Sequence, residues 1–373
     1  MRGLDGRRVL GWRLARQGLG ERLDATAAEV VESVIALRGW PAAQAELAVA
    51  VRQARPEPAA VTRALDAGEL IRGYAFRGGS YVFTHRAAAD LLALHTTTRS
   101  WEGDRFQRQA DFSLPDWEPF RQAIREALAD GPRTRAEIAA FLAGHSPAMA
   151  RLSKAAGGAA SDALYKPLHW LGDISFGPDR GQQATFQLLV GADPRWPGLP
   201  ELDEAGPRAI EGYLAAYAPA TRDNLHYRLT DGLGVPKRMV TGWLDGLVTG
   251  GAVCEVLVDG LTAYARTADL DALTSAEPVD SVRLLPGFDP WVMGPGTTDQ
   301  RIISSDRRPV ATRGANLILN AGVVSGSWRV RRGVLEATWF TEAGPVPGPE
   351  LADERERLAG IRGEELELVV ETG

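Results

Sequence analysis

Apolar residues recur at helical spacing and then switch to strand-like alternation three times along this chain. The first pass runs from Thr26 to Thr84. "TAAEVVESVIAL" has Thr26 at the N-cap and Glu29 three residues on, followed by "QAELAVAVRQA" and "EPAAVTRALDAGEL". "LIRGYAFRGGSYVFT" then reads as two strands around Gly78-Gly79. The second pass, Trp117 to Leu189, places Thr134 and Glu137 in the same capping slot. It adds a third helix interrupted by Pro167, and a hairpin with a long polar tip containing Gly181-Gln182-Gln183. The third, Arg208 to Ala265, has Thr221 as a cap, a helix after Val235-Pro236, and a hairpin around Asp259-Gly260. Within the first pass, "IALRGWPAAQAELAVAVR" (Ile35 to Arg52) reads as a helix end, a sharp corner at Arg38-Gly39-Trp40-Pro41, and a new helix.

Helix, helix, helix, hairpin is the winged-helix plan, in which the third helix enters the major groove and the hairpin touches the backbone or minor groove. Winged helices also serve as protein–protein modules, so some copies are expected to be scaffold. Beyond Ser281 the pattern changes to strand-like runs, "VRLLPGFDPWVMG", "NLILNAGVVSGSWRVRRG" and "VLEATWF", followed by a helix at "DERERLAGI" and an acidic tail. The expected fold is α+β: three tandem winged-helix units and a β-rich C-terminal module. The boundaries fall at 1–105, 106–200, 201–278 and 279–373.

Charge sharpens this picture. The net charge of −6 argues against a nucleic-acid partner, but its distribution does not. Residues 1–22 carry six arginines against Asp5 and Glu21, and residues 300–333 carry seven against Asp306. Lysine is confined to Lys154, Lys166 and Lys237, and arginine offers the planar fork suited to phosphate and guanine edges. A GC-rich genome would produce the same bias. The single Cys254 excludes a disulfide framework or cysteine zinc site, the five histidines lack metal-ligand spacing, and no Gly-rich phosphate loop occurs. No metal and no cofactor are expected. With no apolar run of membrane length and no signal peptide, the expectation is a cytoplasmic monomer without membrane contact.

Six strings carry a family resemblance: "RVLGWRLARQGL" (Arg8 to Leu19), "RGGSYVF" (Arg77 to Phe83), "GPRTRAEI" (Gly131 to Ile138), "LLPGFDPWVMG" (Leu284 to Gly294), "GVVSGSWRVRRG" (Gly322 to Gly333) and "LEATWF" (Leu335 to Phe340). "LLPGFDP" is the most specific. The chain resembles, over nearly its whole length, the winged-helix proteins that include AlkZ-type and YcaQ-type DNA glycosylases. The resemblance implies duplex DNA as partner, alkylated bases included, and a monofunctional glycosylase that excises alkylated purines. It also implies a Gln-x-Gln or Gln-x-Asp motif shortly before an "A-x-L-A" helix, which positions water against the developing sugar cation. Here "AELA" (Ala45 to Ala48) supplies that helix and Arg38-Gly39-Trp40 stands on the motif. Arg38 has no acceptor and cannot act as a base. Trp40 can stack or wedge. Gln44 enters only through a shifted alignment, and the family's "RGT-x-H" becomes Arg77-Gly78-Gly79-Ser80-Tyr81, losing a histidine. The alternative is therefore a non-catalytic DNA-binding regulator or lesion-binding protein on the same scaffold.

The catalytic candidates are Arg38, Trp40, Gln44 and Asp289, the last weighed against a turn-capping aspartate before Pro290. The DNA-contact candidates are Arg77, Arg86, Thr97, Arg99, Lys166, Lys237, Arg238, Arg301 and Arg331. Tyr165 and His169 share the predicted groove helix with Lys166, and His85 precedes Arg86. For each, the plain alternative is a capped helix end or an ordinary solvated face.

Overall fold

The computed structural model describes residues 2–158 and 161–373. Its capping chemistry follows the sequence. The Glu29 N–H donates to Thr26 Oγ1 at 3.2 Å while the Glu29 carboxylate accepts from Thr26 N at 2.7 Å, opening helix Ala27–Ser33. The same reciprocal arrangement joins Thr134 with Glu137 before Arg135–His145, and Thr221 with Asn224 before Arg222–Leu225. Each of these helices thus starts with otherwise orphan amides satisfied.

The corner differs from a simple helix–helix turn. After Ala27–Ser33 the chain passes through Ile35 at φ 69°, and Leu37–Arg38 then forms a short strand with Leu37 opposite Val82 and Arg38 opposite Tyr81. Leu37 and Val82 are both buried, so hydrophobic pairing converts the corner into a sheet edge before helix Ala42–Ala50 begins.

All three predicted hairpins form: Ile71–Tyr74 with Ser80–Phe83, Ile174–Phe176 with Thr185–Leu188, and Val253–Val258 with Leu261–Arg266. They do not stand apart as free wings. The first two meet where Arg72 pairs with Phe176, giving a six-stranded sheet that also takes in Leu37–Arg38 and Arg133–Thr134. The junction is held by Arg72 Nη2 donating to Asp179 at 2.6 Å and by the edge-to-face rings of Tyr74 and Phe176, 5.0 Å apart. The third hairpin gains Arg2–Leu4 as a parallel strand along Val253–Val258.

The C-terminal region is a five-stranded sheet backed by helix Gly348–Arg362, whose Leu351 and Leu358 share a core with Trp328 and Trp339. The expected acidic tail is a strand: Glu367–Thr372 runs parallel to Val334–Trp339, because alternate apolar residues at Leu368 and Val370 pack toward that same core. Helix Gly6–Arg16 locks the modules together. Arg13 donates to the Tyr217 carbonyl at 2.7 Å and Gln17 to the Ala216 carbonyl at 3.0 Å, both from full burial. Burial pushes the Arg13 guanidinium down to about 10. Part of the N-terminal arginine excess is therefore structural. No helix among the described residues is long and apolar enough to cross a membrane.

Candidate nucleic-acid interface

The hairpin tip Phe76–Gly79 is where unneutralised positive charge converges. Arg38 reaches it from the short strand, its guanidinium 5.3 Å from the centre of the Phe288 ring and 5.8 Å from that of Tyr81. Arg77 sits on the tip itself at φ 52°, exposed, with its guanidinium 4.4 Å from the Tyr227 ring centre. Lys166 comes from helix Asp162–Trp170 and lies 5.2 Å over the Tyr74 ring. Arg228 stacks on Phe76 at 3.6 Å. None of these four forms an ion pair among the described residues, although most arginines elsewhere in the chain do. Each is instead carried by an aromatic face, worth about 0.5–2 kcal/mol apiece. Like charges brought this close repel, so the arrangement favours an arriving anion.

Glycine makes the crowding feasible. A β-carbon on Gly79 would lie 2.8 Å from an Arg38 guanidinium nitrogen. Phe288 is held at φ 59°, a conformation that costs a bulky residue about 1–3 kcal/mol. Gly314 gives it room, since a β-carbon there would sit 2.4 Å from the Phe288 ring. Beside this corner Trp40 is 64% exposed, the reverse of a packed helix-corner tryptophan.

The neighbouring polar groups are already engaged. Asp289 is fully buried. Its carboxylate takes a bidentate pair from Arg52 at 2.6 and 2.9 Å and caps the Trp291 N–H at 2.8 Å. As a catalytic candidate it is therefore corrected to the turn-capping role, with an ion pair added. Gln44 is half-buried, its amide oxygen accepting from the Gly287 N–H at 3.1 Å. Its neighbour Glu46 caps Val61 and Thr62. The corner thus presents a cation and an exposed indole, with the Gln44 amide oxygen and the Asp289 carboxylate both engaged.

The remaining candidates divide. Arg301 is corrected: it pairs with Asp299 at 2.6 Å and donates to the Pro219 carbonyl and Asn224, inside the fold. Tyr165 and His169 are corrected in the same way. Both are fully buried, and burial pushes the His169 imidazole down to about 3. Thr97 spends its hydroxyl on the Leu94 carbonyl, and Arg99 is exposed but paired with Glu102. Arg86, Lys237, Arg238 and Arg331 are exposed and unpaired among the described residues; Lys237 and Arg238 open one helix, Lys237–Thr249, and the other two lie on separate elements. Arg228, Phe288 and Tyr81 were not singled out by sequence. "GFDP" pointed to the carboxylate rather than the ring beside it, and nothing in "HYRLT" marks its arginine. Among the described residues no cluster of metal-ligating side chains occurs.

A mixed α and β chain with this concentration of uncompensated cations has the form of a nucleic-acid-binding protein. It belongs to the AlkZ-like DNA glycosylase family, whose sequence model matches residues 31–361. The chain is similar to an interstrand DNA cross-link repair glycosylase of Streptomyces sahachiroi, 30% identical over 365 residues and covering 96% of each chain. Among solved structures it is similar to the S. sahachiroi DNA glycosylase AlkZ, with a TM-score of 0.92 and 28% identity over 99% of this chain and all of the other. The expected family and α+β class are therefore shown.

Proposed function

We propose that this protein recognises damaged duplex DNA carrying bulky or cross-linked alkylated bases, and that the Arg38–Trp40 corner docks on the lesion without the Gln-x-Gln chemistry of its relatives. One observation carries this reading: where the family resemblance places the water-positioning pair stand an unpaired guanidinium and an exposed indole, while the nearby Gln44 amide oxygen is taken by Gly287 and the Asp289 carboxylate by Arg52. The hairpin cations Arg77 and Lys166 supply backbone contacts. Arg86, Lys237 and Arg238 extend the charged surface over the first and third expected winged-helix units and Arg331 onto the C-terminal sheet, and Trp40 stacks on an unpaired or distorted base.

The test is a single-turnover assay with protein in excess over duplex DNA containing N7-methylguanine or a bulkier purine adduct. The expected result is tight, salt-sensitive binding without base release. Release at a rate well above the spontaneous one would overturn the non-catalytic reading. Absence of binding at low salt would remove DNA recognition altogether. Excision through Gln44 is the second reading. The observation favouring it is that Gln44 lies on the helix that opens just after the corner, and a cationic alkylpurine is already a good leaving group. Loss of base release in Gln44→Ala would support it.

A further inference from the structure

Away from the corner, between helices His85–His95 and Leu202–Tyr217, lies a cavity of about 370 Å³ that the proposed lesion contact does not use. Arg228 lines it. This side chain is only 5% exposed, and its Nε and Nη2 are enclosed without a hydrogen-bond partner or an ion pair. A buried guanidinium held by nothing but an aromatic face is costly, and a retained one calls for an anion. It stands on a π-helical turn, His226–Thr230, of the kind that recurs at functional positions. The same cavity receives the N-terminal end of an eleven-residue helix through Thr84 and the exposed, unpaired Arg86. That helix end adds partial positive charge. Glu32 and Glu211 also line the cavity and pair with no cation, while Tyr213 contributes a ring. A free polyanion would meet these carboxylates. A phosphate attached to a group with N–H donors would use both kinds of charge.

We infer that this cavity is a mononucleotide-sized site, in which Arg228 and Arg86 hold one phosphate and Glu211 or Glu32 accepts from the amino or ring N–H groups of a base. The ligand has two sources with the same chemistry: a free nucleotide, or a nucleotide unit displaced from DNA. Arg228 also stacks on Phe76 at the hairpin tip, but neither Arg38 nor Trp40 lines the cavity, and the free-nucleotide arm of the test does not depend on lesion binding.

The full chain is titrated with dAMP, with deoxyadenosine and with inorganic phosphate, and stability is followed by thermal shift. In parallel, its affinity for duplex DNA with a single-nucleotide bulge is compared with that for the fully paired duplex. A dAMP-dependent rise in Tm exceeding that with phosphate or nucleoside, lost in Arg228→Met and in Arg86→Ala, supports the free-nucleotide source. A preference of roughly tenfold for the bulged duplex, lost in the same variants, supports the displaced-unit source. Arg86 is exposed, so its variant reports even if Arg228→Met folds poorly. If neither dAMP nor the bulge distinguishes the wild type from Arg86→Ala and Arg228→Met, the site is overturned.

Discussion

Arg38 and Arg52 bracket the same helix, and the two neighbours Phe288 and Asp289 receive them in opposite ways. Arg52 is wholly buried, bonded through both terminal nitrogens to Asp289 and also to the Ala48 carbonyl. Arg38 is half-buried, touches the Phe288 ring, and has no carboxylate. The contrast teaches how a buried charge can serve a fold and an unpaired one a surface within a few ångströms of chain. A guanidinium with its hydrogen bonds filled has nothing left for a ligand, whereas one held only on a ring keeps its donors free.

The contrast breaks most sharply on stability. Asp289→Ala strands Arg52 in the interior and is expected to cost about 3–5 kcal/mol in denaturant unfolding. Arg38→Ala should cost no more than about 2 kcal/mol, the upper worth of its ring contacts. Equal losses from the two substitutions would erase the distinction. Next in size is acid sensitivity, which belongs to the interior alone. Burial holds the His169 imidazole down to about 3 and the His95 imidazole down to about 4, against 6.5 when unfolded. Their neutral forms therefore stabilise the fold fully above pH 6.5. That stability is lost as pH falls from 6.5 toward 4 and 3, at no more than about 1.4 kcal/mol per pH unit for each. Tm measured between pH 7 and 4 should fall, and His169→Phe should flatten the slope. A flat wild-type profile would contradict the burial.

Smaller effects fall on the corner. Trp40→Ala should weaken binding to lesion-bearing duplex by about 1–3 kcal/mol, the value of one stacked base. Because the indole is 64% exposed, stability should stay within about 0.5 kcal/mol. Unchanged binding with a lowered unfolding midpoint would make Trp40 a packing residue. Arg38→Ala should reduce duplex affinity roughly tenfold and lower the salt slope by about one. A salt slope identical to wild type would place Arg38 off the DNA.

The local grammar of the chain was legible because its causes are local. Thr26, Thr134 and Thr221 cap through partners three residues away, and Gly78-Gly79 and Asp259-Gly260 turn the chain within a few residues. What was not legible lies across long separations. Arg72 meets Asp179, and Arg52 meets Asp289 across 237 residues, and no periodicity announces either pair. Asp289 shows the limit well: its turn-capping role follows from the proline after it, but its ion pair does not. Arg301 was misread although its partner Asp299 is only two residues away, because an arginine-rich stretch reads as a surface until burial is known. The exposed indole at Trp40 is the one feature of the corner that sequence could suggest but only the packing could decide.

The six-stranded sheet has a mechanical consequence. Because Arg72 pairs with Phe176 and salt-bridges to Asp179, the strand that carries Arg38 and the hairpin that follows the Lys166 helix belong to one continuous sheet, which resists their closing on a ligand like jaws. The spacing between them acts as a gauge of constant width. A helix that matches the gauge passes at no cost, and a stiff one must be bent to fit at its own expense, on the order of 1–6 kcal/mol. On the proposed DNA-binding reading, selection would fall on the mechanical state of the nucleic acid: duplex already kinked or softened by damage would meet the gauge more cheaply than an intact, rigid one.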